Sequence, residues 1–198
     1  MTTIYFVRHA QPEHNWENDR TRPLTKEGLS DSQKVTEALH NIKIDRFISS
    51  PYQRSVDTIK GCALEHGIEI VTDERLRERE KGADGNNFGM FQKRWGDFDF
   101  HEDGGESLNM VQKRNIEALL EILNREKGST VVVGTHGTAL STILNDFNPS
   151  YGCDDFLRMI DFMPYIIRLD FDGQRCVGQE EVLIVKKTFK GRQRADKK

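Results

Sequence analysis

The run Thr130-Val131-Val132-Val133 constrains the fold more than any other stretch of the chain. A segment so continuously apolar and β-branched suits a strand buried on both faces, and such strands belong to parallel sheets covered by helices. Its surroundings agree. Glu106 to Glu126 carries an apolar stripe at Leu108, Val111, Ile116, Leu119, Leu120 and Leu123, which predicts an amphipathic helix. Gly137 to Leu144 predicts a short helix following the strand. The same alternation runs upstream. Ile4 to Val7, Arg46 to Ser49 and Ile68 to Val71 read as strands, and Thr25, a good N-cap, opens a helix reaching about Asn41. Ser50-Pro51 predicts another helix start. Tyr165 to Asp170 and Glu181 to Val185 read as late strands. The expectation is an α/β fold, a three-layer sandwich with a mostly parallel central sheet and helices on both faces.

Nothing along the chain argues for a repeat or a second domain, and 198 residues suit one core. Residues 1–185 are expected to form that domain, with 75–105, rich in Gly, Asp, Asn and Phe, as an irregular excursion on the substrate side. Residues 186–198 form a basic tail of seven cations and one acid, against a net charge of -3 for the whole. A solvated tail is the plainer reading, an anionic partner the alternative. No apolar run approaches the roughly 20 residues that span a bilayer, and Met1-Thr2-Thr3 leads directly into a strand, so a cytoplasmic protein is expected. Cys62, Cys153 and Cys176 are far apart and suit free thiols. No metal-ligand spacing appears, and neither a metal nor a cofactor is expected. Neither nucleic acid nor a membrane is expected as a partner; a homodimer is left open.

Ligands of open parallel sheets bind beyond the carboxyl ends of the strands. That rule brings together Arg8-His9 after the first strand, Ser50 to Arg54 after the second, and Thr135-His136-Gly137 after the strongest. Two arginines and two imidazoles make a natural seat for a dianionic phosphate, since the guanidinium fork matches phosphate oxygens. A helix N-terminus near Arg54 adds to the attraction.

Several motifs, in order, resemble the histidine phosphatase superfamily, which includes the cofactor-dependent phosphoglycerate mutases. They are Val7-Arg8-His9-Ala10, Arg22-Pro23-Leu24-Thr25 with Gly28, Ser49-Ser50-Pro51 with Arg54 and Thr58, Leu76-Arg77-Glu78 with Gly82, Gly105-Glu106-Ser107, and Gly134-Thr135-His136-Gly137. The resemblance implies a phosphoglycerate mutase-like fold and a metal-independent phosphatase acting on small phosphomonoesters. His9 would carry the phosphoryl group, and Arg8, Arg54 and His136 would hold its oxygens. Glu78 would protonate the leaving oxygen and then serve as base for water. Glu80 competes for that role, and Gly82 at the family's offset favours Glu78. Asn15 falls where the family has a pocket amide, Gln11 would orient neighbouring groups, and Arg20 and Arg22 would meet a second anionic group or lie on the surface.

Two alternatives accompany this reading: a phosphoglycerate mutase, and a non-catalytic phosphate-binding protein. Pro12 lacks the hydroxyl usual at that position, and the stretch from Asn15 to Leu24 lacks the longer insertion typical of mutases. Both favour a phosphatase. The non-catalytic reading predicts loss of a core residue, and all five are present. For Trp16, Trp95, Phe88, Phe91, Phe98 and Phe100, core or lid packing is expected, with the substrate mouth as the alternative. His14, His40, His66 and His101 read as structural or surface residues.

Overall fold

The structure, a computed structural model, describes residues 1–83 and 88–188, with Phe88 in backbone only. Along the chain run β1 (Thr2–Arg8), α1 (Lys26–Leu39), β2 (Arg46–Ser49), α2 (Gln53–His66), β3 (Ile70–Thr72), α3 (Phe91–Gly96), α4 (Leu108–Arg125), β4 (Thr130–Thr135), α5 (Gly137–Phe147), α6 (Cys153–Met159), β5 (Phe162–Asp172) and β6 (Arg175–Lys186). The six strands form one sheet in the order β3-β2-β4-β1-β5-β6. The first four are mutually parallel. β5 and β6 are antiparallel and extend one edge.

Alternation along the central strands explains the layers. Ile4, Phe6, Val131 and Val133 point into a core shared with α4, α5 and α6. Tyr5, Val7 and Val132 point the other way, into a core shared with α1 and α2. The three valines of β4 are fully buried, each stabilising the fold by about 1.5 to 3 kcal/mol relative to exposure. An α/β sheet with helices on both faces is thus what the apolar run of β4 demands.

Some boundaries differ from expectation. α2 begins at Gln53 rather than Ser50, and the Ser50 N–H instead donates to the Gly134 carbonyl at 3.0 Å, which prolongs the β2–β4 pairing. The Ser50 hydroxyl then accepts the Tyr52 N–H and shapes a turn. β3 falls two residues late, and α6 is a short helix that no periodicity announced. β6 runs to Lys186, and Lys187 pairs with Asp31 at 2.8 Å and with Glu27 of α1. The first residues of the basic tail therefore belong to the fold. Its remaining cations, Lys190, Arg192, Arg194, Lys197 and Lys198, lie outside the described residues, as do residues 84–87 of the excursion.

The described part of the 75–105 excursion is pinned by charge. Glu102 pairs with both Arg79, at 3.3 Å, and Arg94, and all three side chains are buried. Phe91 and Trp95 pack against Phe156, and Phe98 stacks edge-on against Trp95. Trp16 is exposed and donates to the Thr21 hydroxyl. The side chain of Phe88 lies outside the described residues. No described helix is long and apolar enough to cross a membrane.

Candidate active site

Arg8 ends β1 and His9 follows it, with the His9 N–H bonded to the Thr135 carbonyl at 3.2 Å. The turn after the nucleophile candidate is tied to α2, because the Ala10 N–H donates to the Thr58 hydroxyl at 2.9 Å and that hydroxyl donates to the Arg54 carbonyl. On the other side Gly28 of α1 comes so close that a Cβ there would stand 2.2 Å from the Gln11 carbonyl oxygen. The glycine of the Pro-Leu-Thr motif is therefore a matter of space. It lets α1 press against the loop that carries His9.

A cavity of about 110 Å³ opens at this rim, and its walls include Arg8, His9, Gln11, Asp19, Arg22, Arg54, Glu78 and Lys81. His136 is fully buried beside it, its ring 5.2 Å from that of His9. Three sequence-distant segments, those of Arg8-His9, Arg54 and His136, thus meet where the strand-end rule placed them.

His9 is oriented by its own chain. Nδ1 lies 2.7 Å from the Ala10 carbonyl oxygen, which only accepts, so Nδ1 carries the hydrogen and the Nε2 lone pair is free. Burial, then the charges of Arg54 and Arg8, hold its pKa well below the ordinary imidazole value. The ring is neutral at neutral pH. His136 is held neutral in the same way, by burial first and Arg54 next, and its Nε2 lies 2.7 Å from the Ser50 hydroxyl.

The arginines are anchored from behind. Arg8 Nη1 donates to the carbonyls of Met159 and Phe162 at 2.5 and 2.8 Å, and Gly137 leaves room for its guanidinium to pass. Burial lowers its pKa to about 10, so it remains charged. Arg54, in the first turn of α2, donates to the Asp19 carbonyl at 2.7 Å and to its carboxylate at 3.2 Å. The Nε atoms of Arg8 and Arg54 and Nδ1 of His136 are buried without a hydrogen-bond partner among the described residues. Buried donors of this kind are costly, and a cluster of them marks a place prepared for an anion.

Glu78 meets the pocket from the excursion. Its carboxylate accepts the N–H groups of Thr138 and Ala139 at 3.1 and 3.2 Å. It thereby caps α5, whose N-cap residue His136 offers no side-chain cap. Glu80 points elsewhere, toward the Tyr52 hydroxyl and Arg77, and is half-exposed. Of the two acids, Glu78 is the one among the cavity walls.

Two expected substrate contacts fall outside the pocket. Arg20 forms a bidentate pair with Glu74 at 2.8 and 2.7 Å on the surface, because Asn18 caps a short turn that faces it outward. Asn15 is exposed at the loop tip and is not among the cavity walls. Gln11 and Arg22 do line the cavity, Gln11 with its amide oxygen accepting from Thr25 at 3.1 Å. Asp19 and Lys81 were not anticipated, and no pattern in the sequence marks them. Among the described residues no group of three or more His, Cys, Asp or Glu side chains is arranged to hold a metal ion.

Fold and site together define an α/β protein with a cationic pocket built around an oriented, neutral histidine. The sequence profile of the histidine phosphatase superfamily (branch 1) matches residues 4–180, and the chain belongs to that family. Among curated proteins, a probable phosphoglycerate mutase, GpmB, of Salmonella choleraesuis is 28% identical over 159 residues, covering 73% of this chain and 74% of that protein. Among solved structures, Bacillus stearothermophilus YhfR superposes with a TM-score of 0.76 at 24% identity, covering 96% of this chain and 98% of that one. A phosphoserine phosphatase of Entamoeba histolytica gives 0.74 at 18% identity, with 92% and 97% covered.

Proposed function

We propose that the protein is a phosphatase that hydrolyses small phosphomonoesters through a phosphohistidine on His9. The observation that carries this reading is the free, unprotonated Nε2 of His9 in a pocket walled by Arg8, Arg54 and Glu78. The Nε2 lone pair attacks phosphorus as the ester P–O bond breaks, and Glu78 gives a proton to the departing oxygen. Water then attacks phosphorus as the P–N bond breaks, its proton passes to Glu78, and phosphate leaves with His9 neutral again. Arg8, Arg54 and His136 hold the equatorial oxygens as negative charge builds. In the tautomer in which the Ser50 hydroxyl donates to Nε2 of His136, Nδ1 carries the hydrogen that a phosphoryl oxygen accepts.

The test is acid quenching during turnover followed by phosphopeptide mapping. Phosphate is expected on His9, and a His9→Ala variant with full activity would sink the reading. Isomerisation is the competing reading, favoured by the name of the Salmonella relative. On 3-phosphoglycerate, phosphate release is expected to exceed 2-phosphoglycerate formation; the reverse ranking makes the protein a mutase.

A further inference from the structure

In the proposed chemistry Arg8 and Arg54 share one task, yet they are anchored differently. Arg8 donates to two backbone carbonyls, those of Met159 and Phe162. Among the described residues, the hydrogen bonds of Arg54 go to a single loop residue, Asp19. The Asp19 carboxylate is itself shared, with Arg22 at 2.5 Å and Lys81 at 3.6 Å. The Arg54 side chain is nevertheless only 4% exposed. Its guanidinium lies over the ring of Tyr52, with Cζ 5.0 Å from the centroid. The same ring stands edge-on to His136, their centroids 5.2 Å apart. One side chain, 2% exposed, thus packs against two of the groups that would hold the phosphoryl oxygens. Tyr52 is not among the cavity walls.

Tyr52 is held in place at both its backbone and its hydroxyl. Its N–H donates to the Ser50 hydroxyl at 3.2 Å, the hydroxyl that also meets Nε2 of His136. Its carbonyl accepts the N–H groups of Ser55 and Val56 at 2.9 and 3.2 Å, at the start of the helix that carries Arg54. Its own hydroxyl donates to Glu80 at 3.3 Å, and the Arg20 guanidinium lies 5.2 Å from the ring centre. Burial, then the charges of Glu80 and Asp19, push its pKa up to about 12, so the phenol keeps its proton. Arg20 and Glu80, which the proposed chemistry leaves unused, therefore both brace this ring.

We propose that Tyr52 is a positioning residue for phosphoryl transfer, its ring holding the Arg54 guanidinium and the His136 imidazole where they receive the phosphoryl oxygens. The inference rests on the phosphatase reading and adds to it a residue that touches no substrate. The choice of an aromatic ring has a physical reason. The negative face of the ring attracts a guanidinium without taking up any of its N–H groups. A second carboxylate would hold Arg54 as firmly, but it would consume donors and repel the incoming phosphate. An aliphatic side chain would fill the space without attracting the cation.

Replacements at position 52 test this, read as kcat and as affinity for orthovanadate, which mimics the five-coordinate phosphoryl group. Tyr52→Leu is expected to lower both by about tenfold or more, because small misplacements of the holding groups are felt in the transition state. Tyr52→Phe, which returns the ring and omits only the bond to Glu80, is expected to recover most of that loss. A folded Leu variant with kcat and vanadate affinity unchanged overturns the proposal, and so does a Phe variant as impaired as the Leu one. Where Tyr52→Leu does not fold, a ring-fluorinated phenylalanine at this position keeps the shape and draws charge from the ring face. Its vanadate affinity is expected to lie about threefold or more below that of the Phe variant. Equal affinities overturn the proposal, since shape alone would then suffice. Wild-type protein that binds vanadate but neither releases phosphate nor forms phosphohistidine removes the phosphatase reading. The drop in vanadate affinity from Phe to Leu would still retain Tyr52 as the support of the pocket, and its absence would overturn that as well.

Discussion

Arg114, on α4, donates to the backbone carbonyl of Glu78 at 3.1 Å, and so fixes the acid-bearing segment from 36 residues away. Its Nη1 also takes the carbonyls of Arg75 and Arg77, each at 2.7 Å, while Nε and Nη2 clasp Glu106 at 2.9 and 2.8 Å. Three of these contacts hold the carbonyls of residues 75–78, and two hold Glu106. Arg114→Met is expected to destabilise the protein by about 3 kcal/mol in urea unfolding, because Glu106 loses a largely buried partner. Arg114→Lys is expected to fold but to lower kcat on alkyl phosphates by about 10- to 100-fold, since a slightly misplaced acid transfers its proton poorly. An unchanged kcat would leave Arg114 with a purely structural role.

In the proposed mechanism the proton from Glu78 matters most when the leaving group is a poor one. Glu78→Gln is expected to lower kcat on glycerol 3-phosphate by about 10² to 10⁴. On p-nitrophenyl phosphate, whose leaving group needs little protonation, the loss in a burst or single-turnover measurement should be much smaller. Equal losses on the two esters would assign the carboxylate to positioning rather than proton transfer.

Gly28 touches the Gln11 backbone more closely than any Cβ permits. Gly28→Ala is expected to push α1 away from the loop after His9, costing about 1 to 3 kcal/mol. Thermal unfolding reads the cost. A parallel fall in kcat would show that the loop moved with it, and an unchanged Tm would contradict the close approach.

Two neutral, buried imidazoles link stability to pH. His9 and His136 have pKa values depressed well below the ordinary one by burial and by Arg54. Above about pH 6.5 both are neutral in folded and unfolded chains alike and contribute nothing to the pH dependence. Below that value the unfolded chain gains protons that the folded one does not, so stability falls with pH until the folded values are reached. Between pH 7 and 5.5 the two together are expected to cost of order 2 kcal/mol, measured from urea midpoints. A His9→Gln/His136→Gln variant should show a shallower decline. An equally steep one would place the effect on other groups.

Much of this was legible in the residues because it depends on local pattern. The β-branched run of β4 and the apolar stripe of α4 state how they must be buried, and from there the sheet and the strand-end rim follow. The α2 start lies at Gln53 and not at Ser50-Pro51, where Ser50 prolongs the pairing with β4, a strand distant in sequence. α6 went unseen because seven residues are too few to show a period.

The candidate site divides in the same way. Arg8, His9, Arg54 and His136 were legible because each lies beside a strand end or helix start, and Glu78 because its motif resembles the family's acid-bearing segment. Arg20 and Arg22 were indistinguishable as neighbouring cations on one loop. Only the path of that loop turned Arg20 out to Glu74 and Arg22 in to Asp19. The sequence by itself determined the α/β layering and the residues gathered at the rim, since hydrophobic period and strand ends are properties of contiguous residues. The tertiary structure alone decided the anchoring of Glu78 by Arg114 and the convergence of Arg54, Arg22 and Lys81 on Asp19. Those relations join side chains whose meeting depends on how irregular segments pack, and loops carry no period from which that packing can be read.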